Sequence, residues 1–309
     1  MLQQTPYTPP WQRPESGSIT LDRIAGAVIE VKDLEATRAF YDVIFESSGG
    51  SWQVHPRGMT FDRGSQRIEF VRRARPRTLS AAGQHHGYRI PRSAVATVAE
   101  AVATKERTVN WWREDHPEER EVSPYLNDPS GNLVQLVPSD GDGLLLHHVG
   151  LVVHDMEEGE LVFMNALGGE LDYYHGWKTE DVLDARQSWA KGNDPCAPWT
   201  RRATVSFRTH RPEPNPLPQI FMRYGESIVA VILTEKRLIE PLEEVLRGTP
   251  RLVLHSPQPV DDVARYLSEV RVTPVALLYD GGKIPFEREG QDIYFRDRSG
   301  NFLQITCDS

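Results

Sequence analysis

One phrase occurs twice in this chain: Tyr125-Leu-Asn-Asp-Pro-Ser-Gly-Asn-Leu-Val-Gln135 near the middle, and Tyr294-Phe-Arg-Asp-Arg-Ser-Gly-Asn-Phe-Leu-Gln304 at the end. Each copy reads as an apolar strand, an Asp-x-Ser-Gly-Asn turn and a second strand, and two copies so alike imply an internal duplication. The fold is therefore expected to be a tandem of like halves. With 309 residues, 39% hydrophobic and 26% charged, the chain is long enough to bury two cores.

A repeating order of short strand, amphipathic helix and further strands runs from Ile24 onward and can be marked four times. The first unit opens with Ala25–Val31, has a helix over Leu34–Tyr41 and closes with Arg67–Val71. The second opens at His85–Ile90, has a helix over Val95–Ala103 and closes with Leu133–Val137. The third opens at His147–Val153, has a helix near Met156–Leu167 and closes with Ile228–Leu233. The fourth opens at Arg251–His255, has a helix over Val260–Ser268 and closes with Phe302–Ile305. Each unit reads as βαβββ, which makes the chain an α+β protein.

Residues 1–17 carry Pro6, Pro9, Pro10 and Pro14 among polar residues and are expected to form an extended or disordered arm without helix or ladder. The first domain then spans 18–138, a linker of turn residues 139–145, and the second domain 146–309. An insertion over 173–219 holds Trp177, Trp189 and Trp199 among prolines and arginines. Long irregular segments of compact domains are usually functional, and three indoles favour a lid.

A net charge of −9 opposes nucleic-acid binding, which needs clustered cations. The one basic run, Arg72-Arg73-Ala-Arg75-Pro-Arg77, reads as a solvated strand end or as an anion-holding rim. No apolar stretch is long enough to span a bilayer, no signal-peptide pattern opens the chain, and a cytoplasmic location is expected. Cys196 and Cys307 are too few for a disulfide framework or a thiolate metal site.

With these units and spacings the chain resembles the vicinal oxygen chelate superfamily of glyoxalase I, methylmalonyl-CoA epimerase, extradiol dioxygenases and bleomycin- and fosfomycin-resistance proteins. The resemblance covers about Leu21 to Thr306. It implies two tandem domains with cup-shaped mixed sheets, and metal ligands on the first and last strand of each unit. Carried over unit by unit, those positions fall on Gly26 and Glu69, on His86 and Gln135, on His148 and about Ala230, and on Arg251 and Gln304. Where the family has a final-strand glutamate, both halves carry glutamine, a neutral and weaker ligand.

Two assemblies follow. If each half closes on itself, Glu69, His86 and Gln135 gather in one cup. If units pair crosswise, second with third, then His86, Gln135 and His148 meet. The candidate metal ligands are thus His86, Gln135, His148 and Glu69, for Fe, Mn, Ni, Co or Zn, or for no metal. The doubled His85-His86 and His147-His148 leave the inward register open by one residue. His116 and Tyr125, spaced before Gln135 as in the extradiol signature, are the catalytic acid–base candidates. Arg251, Tyr294 and Gln304 are candidates for substrate binding, the arginine as a fork for a carboxylate or phosphate.

The resemblance implies an enzyme of the glyoxalase or epimerase type, an isomerase, epimerase or lyase, that polarises a small vicinally oxygenated substrate on a divalent metal and moves a proton. Extradiol-type ring cleavage and a metal-free, resistance-type binding protein are the alternatives. The expected partner is a small molecule, with no nucleic acid and no membrane, and the protein is a monomer or homodimer.

Overall fold

The structure, a computed structural model, describes residues 11–12, 17–79, 84–103, 110–113, 122–141, 143–153, 159–175, 219–233, 246–272, 283–297 and 299–309. After a two-residue strand β1 (Trp11–Gln12), the first unit comprises β2 (Arg23–Val31), α1 (Leu34–Phe45), β3 (Ser51–His55), β4 (Gly58–Arg63) and β5 (Gln66–Arg72). The second comprises β6 (His85–Pro91), α2 (Val95–Val102), β7 (Asn110–Arg113), β8 (Val122–Asn127) and β9 (Leu133–Ser139). The third has β10 (Leu146–Val153), a π-helical segment Glu160–Ala166, β11 (Glu170–His175), β12 (Gln219–Tyr224) and β13 (Ser227–Leu233). The fourth has β14 (Arg251–Pro259), α3 (Val260–Glu269), the short β15 (Arg271–Val272), β16 (Phe286–Glu289), β17 (Asp292–Arg296) and β18 (Phe302–Asp308). All four expected βαβββ units are present.

Their pairing is crosswise. Sheet I runs β16-β17-β18-β14-β2-β5-β4-β3 and joins the fourth unit to the first. Sheet II runs β11-β12-β13-β10-β6-β9-β8-β7 and joins the third to the second. Each unit closes on itself through a parallel pair of its first and last strands, such as β2 with β5 and β6 with β9. The units meet through antiparallel first strands, β14 with β2 and β10 with β6. Each cup therefore draws one unit from each half of the sequence.

Local chemistry sets these elements. Asp33 caps α1, its carboxylate accepting from the Ala36 N–H at 3.0 Å, and Phe40, Tyr41, Ile44 and Phe45 recur at helical spacing and are buried. Tyr41 of α1 packs edge-on against Tyr88 of β6 with centroids 5.9 Å apart, so the first unit's helix backs onto the other sheet. Gln66 fastens the two sheets from within. Its amide donates to the carbonyls of Ile24 and Leu146, each at 3.0 Å, and accepts from the Leu146 N–H at 2.9 Å.

The repeated phrase is a pair of latches. In the first copy the Asp128 carboxylate accepts from the N–H groups of Ser130 and Asn132 at 2.8 and 2.9 Å, and Gly131 takes φ 96°. The Asn132 amide then donates to Glu30 O on β2 at 3.1 Å. In the second copy Asp297 accepts from the Asn301 N–H at 2.7 Å, Gly300 takes φ 95°, and the Asn301 amide donates to Val152 O on β10 at 2.8 Å. A turn of sheet II thus grips the first strand of the first unit, and a turn of sheet I grips that of the third. The duplication is reciprocal.

Two expectations change. The arm was expected to make no ladder, yet Trp11 and Gln12 pair antiparallel with Val272 and Arg271. They lie after Pro10 and before Pro14, where the backbone keeps its N–H donors. The expected insertion is narrower at its ends, since 173–175 and 219 belong to β11 and β12. Trp177, Trp189, Trp199 and Cys196 lie outside the described residues, and Cys307 is buried as a free thiol. Among the described residues no helix is long and apolar enough to cross a membrane.

Candidate functional site

The first strands of sheet II carry the same short pattern: His85-His86-Gly87 on β6 and His148-Val149-Gly150 on β10. They run antiparallel with His148 opposite Gly87, Val149 opposite His86 and Gly150 opposite His85. Strand alternation puts both outer histidines and both glycines on one face, so each imidazole lies across from a glycine. A Cβ at Gly87 would lie 2.1 Å from His148 Cε1, and one at Gly150 would lie 2.7 Å from His85 Nδ1. Only glycine lets the two rings cross the strand gap and meet. Their Nε2 atoms are 2.9 Å apart, with ring planes at 79°.

His147 completes a chain of three imidazoles. The register shifts between Leu146 and His148, and this irregularity brings His147 Nδ1 to 2.9 Å from His148 Nδ1. One nitrogen of each contact must carry the proton. Burial pushes the His148 imidazole well below its ordinary range, helped by His85 and then His147. Burial, then Arg89 and Arg223, pulls His147 down to about 4. Both rings are neutral at pH 7, the form that ligates metals.

Gln135 on β9 lies beside Gly87 and Tyr125 and shares their face. Its Nε2 donates to Ser123 Oγ at 2.7 Å, and that hydroxyl donates to Leu136 O at 2.7 Å, which fixes the amide plane. Tyr125 stands edge-on to His85 with centroids 5.3 Å apart. The site is a neutral, buried set of imidazoles with an amide and a phenol at its margin.

The structure revises the residues read from the sequence. His86 does not meet His148; it faces the other side of β6, with its ring 6.3 Å from that of Tyr88, and lines a cavity of about 190 Å³ with Leu151 and Arg296. Burial, then His85, pulls its imidazole down to about 3. Of the two registers that the doubled histidines leave open, the structure has the one that turns His85 toward His148. The signal that settles it is the glycine two residues after each inward histidine. Glu69 is also elsewhere, because crosswise pairing puts β5 in sheet I. His116 lies outside the described residues.

Sheet I repeats the geometry with different chemistry. Val28 lies opposite Arg251 and beside Glu69, as Gly87 lies opposite His148 and beside Gln135. Arg251 thus holds the place of His148, and Gly26 that of His85. A Cβ at Gly26 would fall 1.8 Å from the Arg67 carbonyl oxygen, so this backbone admits no ligating side chain there. Arg251 Nε donates to Gln304 Oε1 at 2.7 Å, its guanidinium lies 5.5 Å from the Tyr294 ring centre, and Glu69 Oε2 is 4.0 Å from Nη2. Arg247 covers the same ring at 4.7 Å, and His55 Nε2 is 3.9 Å from Glu69. The substrate-binding candidates Arg251, Tyr294 and Gln304 therefore form one cluster. The basic run turns inward at Glu30, which accepts from Arg73 Nε at 3.3 Å and from the Arg77 N–H at 2.7 Å. Among the described residues no three His, Cys, Asp or Glu gather as a metal cage.

No family model and no curated protein sequence matches the chain. Solved structures do. A point variant of glyoxalase I from Zea mays superposes with a TM-score of 0.58 at 15% identity, over 92% of each chain. Glyoxalase I from the same plant gives 0.57 at 14% identity, again over 92% of each. A Bacillus subtilis protein provisionally assigned as a dioxygenase gives 0.54 at 13% identity, over 94% of this chain and 86% of that one. Together with the four units and their crosswise pairing, these likenesses establish that the chain has the vicinal oxygen chelate fold in its tandem two-domain form.

Proposed function

We propose that the sheet II cup is a divalent-metal site held by His85 and His148 through Nε2 and by the Gln135 amide oxygen, and that it serves glyoxalase- or epimerase-type chemistry on a small vicinally oxygenated substrate. The observation that carries this is the convergence of the two Nε2 atoms at 2.9 Å across paired glycines. Two neutral imidazole nitrogens brought this close, with the Gln135 amide on the same face, are groups that could hold one ion together. The donor set fits a first-row ion such as Fe(II), Mn(II), Co(II), Ni(II) or Zn(II). Such an ion, when bound, supplies Lewis-acid polarisation of a carbonyl or enediolate oxygen.

The protein's own groups do the rest. His147 orients His148 from behind, as partners of ligating histidines generally do, and Ser123 turns the Gln135 amide. With only three neutral protein donors, such an ion would be able to take substrate oxygens as well. Tyr125, edge-on to His85, is a described group able to hold or pass a proton. In the sheet I cup the guanidinium of Arg251 favours a metal-free role, with Tyr294 and Gln304, in holding a carboxylate or phosphate of a small molecule. Extradiol-type cleavage is the weaker reading, because Gln135 stands where that chemistry would use a carboxylate.

Metal analysis after loading with each ion tests the site: about one equivalent is expected, lost in His85→Ala and His148→Ala and kept in His86→Ala. Solvent deuterium should enter the carbon beside the carbonyl of a 2-oxoaldehyde–thiol adduct or a branched thioester. Failure to bind any of these ions, or binding indifferent to both histidines, refutes the assignment.

A further inference from the structure

A second cavity, of about 530 Å³, lies at the joint between the halves and shares no lining residue with the histidine cup. Its volume is in the range of small-molecule sites. Arg63 of sheet I, Arg89 of sheet II and Arg92 line it against one carboxylate, Asp140, which Arg92 engages at 3.0 Å through Nε. Among the described residues of the lining, two positive charges therefore have no counterpart.

Both guanidinium groups are held in place. Arg63 donates through Nε to Ser48 O at 2.6 Å and through Nη1 to Gly143 O at 2.5 Å. Arg89 lies in a notch at the same glycine, where a Cβ would fall 1.8 Å from its Nη1. Burial and the like charges of Arg223 and Arg63 disfavour the charged Arg89, while Glu226 acts the other way. Ser48 lines the same cavity, and its buried Oγ has no hydrogen-bond partner among the described residues. Like charges are gathered here at a cost that a bound anion would offset.

We infer that this cavity binds the phosphate of a small phosphate ester. Planar guanidinium forks match phosphate oxygens, and the Ser48 hydroxyl adds a donor. The lining includes Ile90, Pro91 and Leu145, and among the described residues no aromatic side chain on which a nucleobase could stack. The ester body is therefore of glycerol or sugar size. Its phosphate would draw Arg63 of one sheet and Arg89 of the other to a single anion, so binding raises the stability of the whole molecule.

Titration calorimetry and melting of the purified full-length protein, with glycerol 3-phosphate, inorganic phosphate and sulfate as probes, decide the matter. Glycerol 3-phosphate is expected to bind about tenfold tighter than either ion, to raise the melting temperature and to weaken with salt. Arg89→Gln should cost about tenfold or more in affinity. Because Arg63 also ties Ser48 and Gly143, the confirming variants are Gly143→Ala, which fills the Arg89 notch, and Ser48→Ala. The inference is overturned if folded protein gives no heat or melting shift at about 10 mM ester, if sulfate binds equally well, or if affinity is unchanged in Arg89→Gln and Gly143→Ala. Loss of binding in His148→Ala would also overturn it, by placing the anion in the histidine cup.

Discussion

The two cups share strand order and pairing, match in register where His148 lies opposite Gly87 and Arg251 opposite Val28, and differ at the positions where the first and last strands meet. Sheet II has His85, His148 and Gln135 there; sheet I has Gly26, Arg251 and Glu69, with Gln304 on the last strand of its other unit. One set is neutral and offers lone pairs, the other is charged and pairs within itself. The scaffold supplies convergence in both, and the side chains alone decide what converges. Gly26 shows that the difference reaches the backbone, because β2 lies too close to Arg67 for a side chain to stand where His85 stands.

The widest gap between the cups should appear in metal affinity. His148→Ala is expected to weaken metal binding by at least about 100-fold, whereas Arg251→Ala, at the equivalent place, should leave both affinity and stoichiometry unchanged. Calorimetric titration with Ni(II) or Zn(II) on both variants reads this, and a loss in Arg251→Ala would erase the distinction.

Glycine substitutions separate packing from ligation. Gly26→Ala drives a methyl into a backbone carbonyl and should cost about 3 kcal/mol or more of stability without touching the metal. Gly87→Ala meets the His148 ring, which can swing aside, so about 1–3 kcal/mol is expected together with about tenfold weaker metal binding. Urea unfolding beside metal titration gives both numbers; equal loss of metal in the two variants would contradict the assignment of cups.

The repeated turns invite a third comparison, this time of likeness. Asn132→Ala and Asn301→Ala each remove an amide that bonds to a carboxylate and to a carbonyl of the other sheet, and each should cost about 1–3 kcal/mol. Similar costs, with metal affinity intact in both, are what latches predict. A loss of metal in Asn132→Ala alone would make that turn part of the site.

How much of this was legible follows from what each signal depends on. The four units were readable because helical and strand periodicity, turn glycines and the doubled phrase are local. The α1 cap at Asp33 and the positive-φ Gly131 and Gly300 obey local rules as well. Crosswise pairing was not readable, because either partner unit offers the same apolar strand edge and the choice is made by contacts far apart in sequence, such as Gln66 with Leu146. Glu69 therefore joins the sheet II ligands only in the self-closed assembly, and crosswise pairing places it beside Arg251. Two adjacent imidazoles carry no alternation of their own, so the sequence leaves open whether His85 or His86 turns inward. The recurrence of histidine with glycine two residues on was present in the sequence, and it acquires meaning only when the strands are known to be antiparallel neighbours. The phrase that announced the duplication proved to bind the sheets together, and the chemistry sits in the less conspicuous pattern.

The smallest expected effect concerns the two turn carboxylates. Burial pushes Asp297 up to about 6 against the pull of Asn301 and Arg296, and pushes Asp128 up against Asn132, Ser130 and Gly131. For Asp297 the folded value lies above the ordinary 3.8, so the folded state holds the proton more tightly than the unfolded chain. The resulting stabilisation is complete below about pH 3.8 and is lost as pH rises through about 6. Acidifying from pH 7 to 5 should then add about 1 kcal/mol through this group, against the acid destabilisation from buried His86 and His147. Asp297→Asn abolishes the titration, so its stability should fall by about 1 kcal/mol more than the parent's over the same interval in urea unfolding. Asp128→Asn should shift the balance in the same direction, and a parallel pH dependence of parent and both variants would mean that the turns hold their carboxylates ionised at no cost.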